Sequence, residues 1–245
     1  NAGISDGQSI SEWKDLSGNG TNPLQSLSSS RPTLVNSALN NLAGVRFDGS
    51  NDYIWAESSN SLTNTTMIVV TKLGAVNFSG ANSGGAAVTI QQDGVDNFDA
   101  IIYNEVGARK FAHGSSYFRR KHISSYTETD TGPFIIQDQF QTGDFRQYRN
   151  GVLSSQANKT ATNKPNTLFI IGNRHFSGRN PVSNGYWYGD IFEILILNRV
   201  ITDSERVEIH NFLAKKWGLE ATVDSDGDGV VDANDSDANG NGIPD

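Results

Sequence analysis

The sequence predicts an all-β fold, a two-sheet antiparallel β-sandwich closed by one C-terminal helix and followed by an acidic tail. Three observations predict it. Residues 1–220 are rich in Gly, Asn, Ser and Thr, with short β-branched or aromatic runs between turn signals, the pattern of a sandwich. One segment near residue 202 carries a full set of helix signals. At about Ala221 apolar content collapses and Asp and Gly take over. A chain of 245 residues accommodates one large sandwich and a short tail.

The clearest strand runs are 44–47, 66–72, 86–91, 100–103, 134–138, 145–149, 168–172 and 191–197. Asn150-Gly151 after the sixth run is the dipeptide of a type I′ hairpin, because both turn positions need positive φ. In Ile191-Phe192-Glu193-Ile194-Leu195-Ile196-Leu197 apolar residues occupy both faces except at Glu193, which predicts a strand covered on both sides. Thr202-Asp203-Ser204-Glu205 is a capping box, and Ile209, Phe212 and Leu213 form an apolar stripe. Lys215 and Lys216 suit the negative end of the dipole, and Gly218 can end the helix. That helix is expected to pack on the sandwich, with His210 on its surface side.

The domain boundaries follow: 1–220 for the sandwich and 221–245 for the tail. The formal charge of −8 is local. The tail holds seven Asp and no basic residue, and 27 acidic residues less these leave 20 against 19 basic ones, a net −1. No dominant basic field remains to attract phosphates, which argues against nucleic acid as partner. No apolar run approaches the roughly 18 to 20 residues a membrane span needs, and residues 1–20 lack the charged start and apolar middle of a signal peptide. The chain therefore reads as a soluble, mature fragment without membrane insertion. Cysteine is absent, which removes disulfides and thiolate metal sites and leaves stability to the core and to bound ions.

The tail carries the strongest motif. Calcium takes six to eight oxygens at about 2.3 to 2.6 Å, so a short loop must offer oxygen at alternate residues and a glycine where the backbone turns. Asp224, Asp226, Asp228, the Val230 carbonyl, Asp232 and Asp235 fall at positions 1, 3, 5, 7, 9 and 12 of such a loop, with Gly229 at 6. The pattern repeats at a period of 13 in Asp237, Asn239, Asn241, the Ile243 carbonyl and Asp245. Asp stands where an EF-hand has its final Glu, and no flanking helices are expected. The rival reading is a disordered acidic linker that binds cations loosely.

Four blocks resemble the bacterial laminin-G-like branch of the concanavalin-A-like superfamily: Trp13-x-Asp15-x-Ser17-Gly18-Asn19-Gly20, Val45-Arg46-Phe47-Asp48-Gly49-x-x-Asp52-Tyr53, Gly189-Asp190-Ile191-x-Glu193 through Arg199, and Lys216-Trp217-Gly218-Leu219. They span residues 4–219 in the family's order. The resemblance implies a concanavalin-A-like jelly roll that serves as a module of a secreted or cell-surface bacterial protein and binds carbohydrate or another surface ligand; it does not fix the ligand. Set against the family's usual first strand, ahead of a segment like Ala2–Gly7, the resemblance implies an expected domain start upstream. The tail resembles thrombospondin type 3 repeats, which join such modules to neighbouring domains. Related sandwiches often hold a further calcium between terminal strands, for which Asp48, Asp52, Asp190 and Glu193 are candidates, against ordinary turn and hydrogen-bond roles for the same residues.

No catalytic signature is found. Paired-carboxylate glycosidases on this fold place their acids at alternate strand positions, about 5 Å apart; Glu128-x-Asp130 comes nearest, but Gly132-Pro133 follows and a third carboxylate is missing. A His-Glu-x-x-His pair is also absent, and His113, His122, His175 and His210 are far apart in sequence. The reading is a non-catalytic carbohydrate-binding or adhesive module. A ligand-free structural spacer and an unrecognised polysaccharide-degrading enzyme are the alternatives. The candidate ligand surface joins Arg119, Arg120 and Lys121, beside Tyr117 and Phe118, to Arg174, Arg179, Tyr186 and Trp187: aromatic faces for pyranose rings, long donors for hydroxyls or acid groups. The expected partner is a polysaccharide or surface glycan, an acidic one being the narrower expectation.

Overall fold

The computed structural model describes residues 5–77, 85–115 and 121–244. Seven strands form one antiparallel sheet: β1 (Thr33–Leu39), β2 (Leu42–Asp48), β4 (Thr65–Leu73), β9 (Phe134–Gln141), β10 (Asp144–Arg149), β11 (Val152–Ala157) and β15 (Tyr188–Leu197), in the order β1-β2-β15-β4-β9-β10-β11. Six form the second: β3 (Ile54–Ser58), β5 (Gly85–Gln92), β6 (Phe98–Tyr103), β7 (Phe111–Ser115), β8 (His122–Ile123) and β12 (Thr167–Ile171), in the order β3-β12-β5-β6-β7-β8. A small hairpin, β13 (Phe176–Ser177) and β14 (Asn180–Pro181), stands apart from both sheets. All eight predicted runs lie in strands or at their ends, and five of the eleven neighbouring pairs, among them β2-β15, β15-β4 and β12-β5, join strands distant in sequence, as in a jelly roll.

Alternation along the strands explains the layers. In central strand β4, Met67 and Val69 point into the core between the sheets, while Ile68 and Val70 point the other way. The same division runs through β15, with Ile191, Ile194 and Ile196 on the inner side and Phe192, Leu195 and Leu197 on the outer. Such a two-sided strand needs a second cover, and helix α1 (Asp203–Trp217) supplies it by packing Leu213, Ala214 and Trp217 on Ile68, Val70, Ile135 and Phe192. The cap forms as predicted: Glu205 N donates to Thr202 Oγ1 at 3.2 Å, and Thr202 N donates to Glu205 Oε2 at 2.8 Å. Gly218 takes the left-handed conformation that ends the helix. Glu193, the polar break in β15, accepts from Lys216 Nζ at 2.8 Å and from Trp217 Nε1 at 2.6 Å.

Two helix expectations are corrected. Phe212 is 60% exposed and does not join the buried stripe, which runs through Val207, His210, Leu213, Ala214 and Trp217. His210 is fully buried rather than on the surface, because it lies on that inward stripe; its Nε2 meets Gln137 Oε1 of β9 at 2.9 Å.

The Asn150-Gly151 turn joins β10 to β11 with Arg149 opposite Val152, and both turn residues have positive φ. A Cβ on Gly151 would lie 1.7 Å from the Asp224 carbonyl oxygen, so only glycine permits this approach. The start of the tail is thereby seated on the sandwich: Asp224 N donates to the Asn150 carbonyl at 3.1 Å, Asn150 Nδ2 to the Thr222 carbonyl at 3.1 Å, and Val223 is buried in the cluster under α1. Among the described residues no helix is long and apolar enough to cross a membrane.

Candidate functional site

The tail folds as two similar loops. Asp224 accepts from the backbone N–H of Gly227 (2.7 Å) and Gly229 (3.0 Å), while Asp237 accepts from Asn241 (3.1 Å) and Gly242 (2.8 Å). Asp226 accepts from Asp228 N and Asn239 from Asn241 N, both at 3.1 Å; Asp228 accepts from Val230 N and Asn241 from Ile243 N, both at 2.8 Å. The sequence repeat at a period of 13 is thus a repeat of hydrogen bonds. It needs positive φ at Gly227, Gly229, Gly240 and Gly242, where all four glycines have it.

In the first loop Asp224, Asp226 and Asp228 converge, each offering an oxygen within 4.8 Å of the others. Three carboxylates at that separation repel one another, and a hard divalent cation bound by oxygen fits such a donor set. The strain of the cluster shows in Asp226, whose carboxyl is held above its ordinary range by burial and by the charges of Asp228, Asp235 and Asp224. Asp232 is turned inward: its two oxygens accept from Ser225 N and Ser225 Oγ at 2.7 Å each. Asp235 accepts from Asp237 N at 2.9 Å, and Val230 is exposed. Asp245, the last ligand position of the second loop, lies outside the described residues.

The other candidate cation ligands are not gathered. Asp190 is paired with Arg46 by two bonds of 2.7 and 2.9 Å, and Glu193 holds Lys216 and Trp217. Asp48 caps its own turn by accepting from Ser50, Asn51 and Asp52 N–H groups. Asp52 accepts from Asp48 N, and burial together with the Asp48 charge pushes its carboxyl up to about 6.

The proposed ligand surface is revised by the side-chain positions. Arg119 and Arg120, with Tyr117 and Phe118, lie outside the described residues. Lys121 is exposed. Trp187 is fully buried in the core between the sheets, so its ring has no face for a sugar. Tyr186 is 8% exposed and packs near Tyr53. Arg174 is paired with Glu105 and donates to Asn184 Oδ1 at 2.9 Å; Arg179 binds Asp93 through two nitrogens and Glu57 through a third at 2.8 Å. Both cations are answered by carboxylates of the same chain.

What the segment after β12 builds instead is a cleft. Thr89 Oγ1 donates to the Asn173 and Arg174 carbonyls, and Gln91 exchanges bonds with the Phe176 backbone in both directions, which lays that segment on the outer face of the second sheet. Between it, the β5–β6 turn and the end of β7 opens a space of about 390 Å³ lined by Val95, Asp96, Phe98, Ser115, Arg174 and His175 among others. His175 stacks on Phe98 with ring centres 4.7 Å apart. Burial, reinforced by the Arg174 cation, lowers the His175 imidazole to about 4. Asp96 carries no sequence motif, and only the Asp93-Gly94 turn signal marks its neighbourhood.

A second polar group is sealed inside. His113 lies 3.4 Å from Asp99 and 3.6 Å from Asp138, Lys164 pairs with Asp99, and Gln147 Nε2 donates to Asp138 at 2.9 Å. His122 stacks on His113 at 5.2 Å, so two histidines distant in sequence meet. Asp99, His113, Asp138 and Lys164 are all fully buried, which leaves no route for a substrate. Glu128, the nearest approach to a catalytic carboxylate motif, is buried and accepts two hydrogen bonds from Arg149, at 2.8 and 2.6 Å.

No family model and no curated protein matches the chain. Solved structures share its fold. Domain 4 of an extracellular arabinanase from Geobacillus stearothermophilus, in complex with arabinotriose, superposes with a TM-score of 0.51 at 12% identity over 70% of this chain and 77% of that one. A pentraxin from Limulus polyphemus gives 0.51 at 11% identity over 79% and 89%. A Trypanosoma rangeli sialidase in complex with sialic acid gives 0.58 at 10% identity over 87% of this chain, which spans only 32% of that one. Topology and likeness together define an antiparallel jelly-roll β-sandwich with one α-helix among the described residues.

Proposed function

We propose that the chain is a non-catalytic carbohydrate-binding or adhesive module of a larger secreted or cell-surface protein, with a calcium-held C-terminal segment. The observation that carries the glycan reading is the open polar cleft on the outer face of the second sheet, in a fold shared with an arabinanase domain that holds arabinotriose. That neighbour's extracellular setting supports the localisation.

Calcium is supported by the convergence of Asp224, Asp226 and Asp228 and by the doubled loop geometry. In this reading the ion would be held by those carboxylates in the manner of a thrombospondin type 3 repeat, with 221–245 joining the sandwich to a neighbouring domain. Asp237, Asn239, Asn241 and Ile243 would serve a second ion. The ion would neutralise the cluster and fix the direction in which the chain leaves the sandwich. An acidic glycan is the narrower form of the reading and rests on Arg119, Arg120 and Lys121. The seating of Thr222, Val223 and Asp224 on the β10–β11 turn favours a second reading, a rigid spacer.

A glycan array probed in calcium and again in chelator tests the proposal, together with calorimetric calcium titration of the chelated protein. Glycan retention and calcium uptake are expected. Absence of retention on any glycan leaves the spacer; uptake unchanged by Asp224→Ala with Asp228→Ala removes the tail site.

A further inference from the structure

Within the glycan-binding reading, on which this inference rests, we propose that the cleft beside Asp96 is the glycan subsite and that it takes a neutral, hydroxyl-rich sugar unit rather than an acidic one. Its volume of about 390 Å³ lies within the range of about 300–1,000 Å³ typical of small-molecule sites.

The lining chemistry sets the class. Asp96 Oδ1 is buried without a hydrogen-bond partner, and His175 Nε2 stands 4.0 Å away, beyond hydrogen-bond reach. Asp96 lines the cleft with its side chain 33% exposed; a carboxylate there asks for a donor, and sugar hydroxyls are donors. His175 stays neutral above about pH 4, so it adds no cation.

Charge around the cleft disfavours anions. Arg174 is matched by Glu105, and Arg179 by Asp93 and Glu57. With Asp96, four carboxylates surround two guanidinium groups. Among the described residues, a uronate or sulfate entering here would meet Asp96 with both nearby guanidinium groups already paired, a like-charge contact that selects against it. Phe98 is covered by the stacked His175 ring, so polar contacts rather than ring stacking must give this subsite its selectivity.

The test uses affinity electrophoresis and calorimetry on the 245-residue chain in calcium, with linear arabinan, a neutral glucan, alginate and a sulfated galactan as probes. The expected result is retention by a neutral polysaccharide that changes little between low and high salt. Asp96→Asn should weaken it by about tenfold to a hundredfold, the loss expected for a charged acceptor. Val95→Trp, at a lining residue 47% exposed and therefore tolerant of substitution, should abolish it by filling the space, with an unchanged thermal midpoint. Neutral-glycan binding that neither variant alters would overturn the subsite and leave the glycan reading standing. Retention by alginate or the sulfated galactan alone, fading with salt, would also overturn it. Retention by none of the four would end both.

Discussion

Arg206 of α1 donates through Nη1 to the carbonyl oxygen of Ser225 at 2.9 Å. The same nitrogen reaches the Gly151 carbonyl at 2.9 Å, so one buried guanidinium clamps the helix, the β10–β11 turn and the first acidic loop. Ordering the loop should therefore stabilise the sandwich. Calcium at a hundredfold excess over its dissociation constant is expected to add about 2.7 kcal/mol, read as a rise in the midpoint of the whole domain. Arg206→Met should lower stability by about 2–3 kcal/mol, since two carbonyls lose a charged donor, and should shrink the calcium-dependent rise. A variant with the full rise would show that the clamp does not transmit it.

Asp52 gives a pH prediction. Its folded carboxyl titrates at about 6, against about 3.9 unfolded. Between these values the folded state binds the extra proton, so Asp52 costs stability as pH rises through about 6, by about 3 kcal/mol at neutrality. Asp52→Asn, which keeps an acceptor for Asp48 N, should stabilise the protein at pH 7 and have little effect at pH 4. If calcium sat between Asp48 and Asp52 the sign would reverse, and urea unfolding in calcium and in chelator at both pH values separates the cases.

The elements legible in the sequence were those specified by local chemistry. The Thr202–Glu205 cap, the Asn150-Gly151 turn and the two-sided strand around Glu193 each depend on residues within a few positions of one another. The repeat of the tail was legible for the same reason, because Asp224, Asp226 and Asp228, which the structure brings together, are alternate residues of one short segment. The cleft was not, since Asp96 comes from a hairpin turn, Ser115 from the end of β7 and His175 from beyond β12, and no spacing joins them. Trp187 misled because an aromatic beside Tyr186 and Tyr188 looks like a platform, while strand alternation and the Gly172 carbonyl, which accepts from Trp187 N at 2.9 Å, turn it inward. His210 misled because the helix has too few apolar residues to reveal which face is buried.

Trp217 anchors the helix by two separable means. Its ring packs on Phe192 with centres 5.4 Å apart, and its Nε1 donates to Glu193. Trp217→Ala should cost about 3–5 kcal/mol. Trp217→Phe keeps most of the packing and leaves Glu193 to Lys216 alone, for an expected cost of about 1–3 kcal/mol. Denaturant midpoints order the three proteins; equal losses for both variants would mean the indole bond carries the whole effect.

The buried histidines set the acid limb of stability. His210 Nε2 meets the Gln137 amide oxygen while its Nδ1 has no partner, which fits a neutral ring carrying its proton on Nε2. Burial, aided by the Arg206 cation, lowers it to about 3; burial, with the cations of His113 and Lys159, lowers His122 to about 3. Both stay neutral in the folded state, whereas the unfolded chain protonates them below about 6.5. Stability should fall as pH drops from about 6.5 toward 3, by about 1.4 kcal/mol per pH unit for each ring. His113 works in the opposite sense. Burial opposes its charge, yet the Asp138 and Asp99 carboxylates, 3.6 and 3.4 Å away, outweigh burial and raise it, so its contribution is present below about pH 6.5 and is lost as pH rises through the folded value. Ring-nitrogen NMR should find His113 titrating above the ordinary imidazole range and His122 and His210 neutral down to about pH 5. His210→Gln should flatten the acid limb by the slope of one proton. A His210 resonance titrating near 6.5, or a limb unchanged in the variant, would place the acid sensitivity elsewhere.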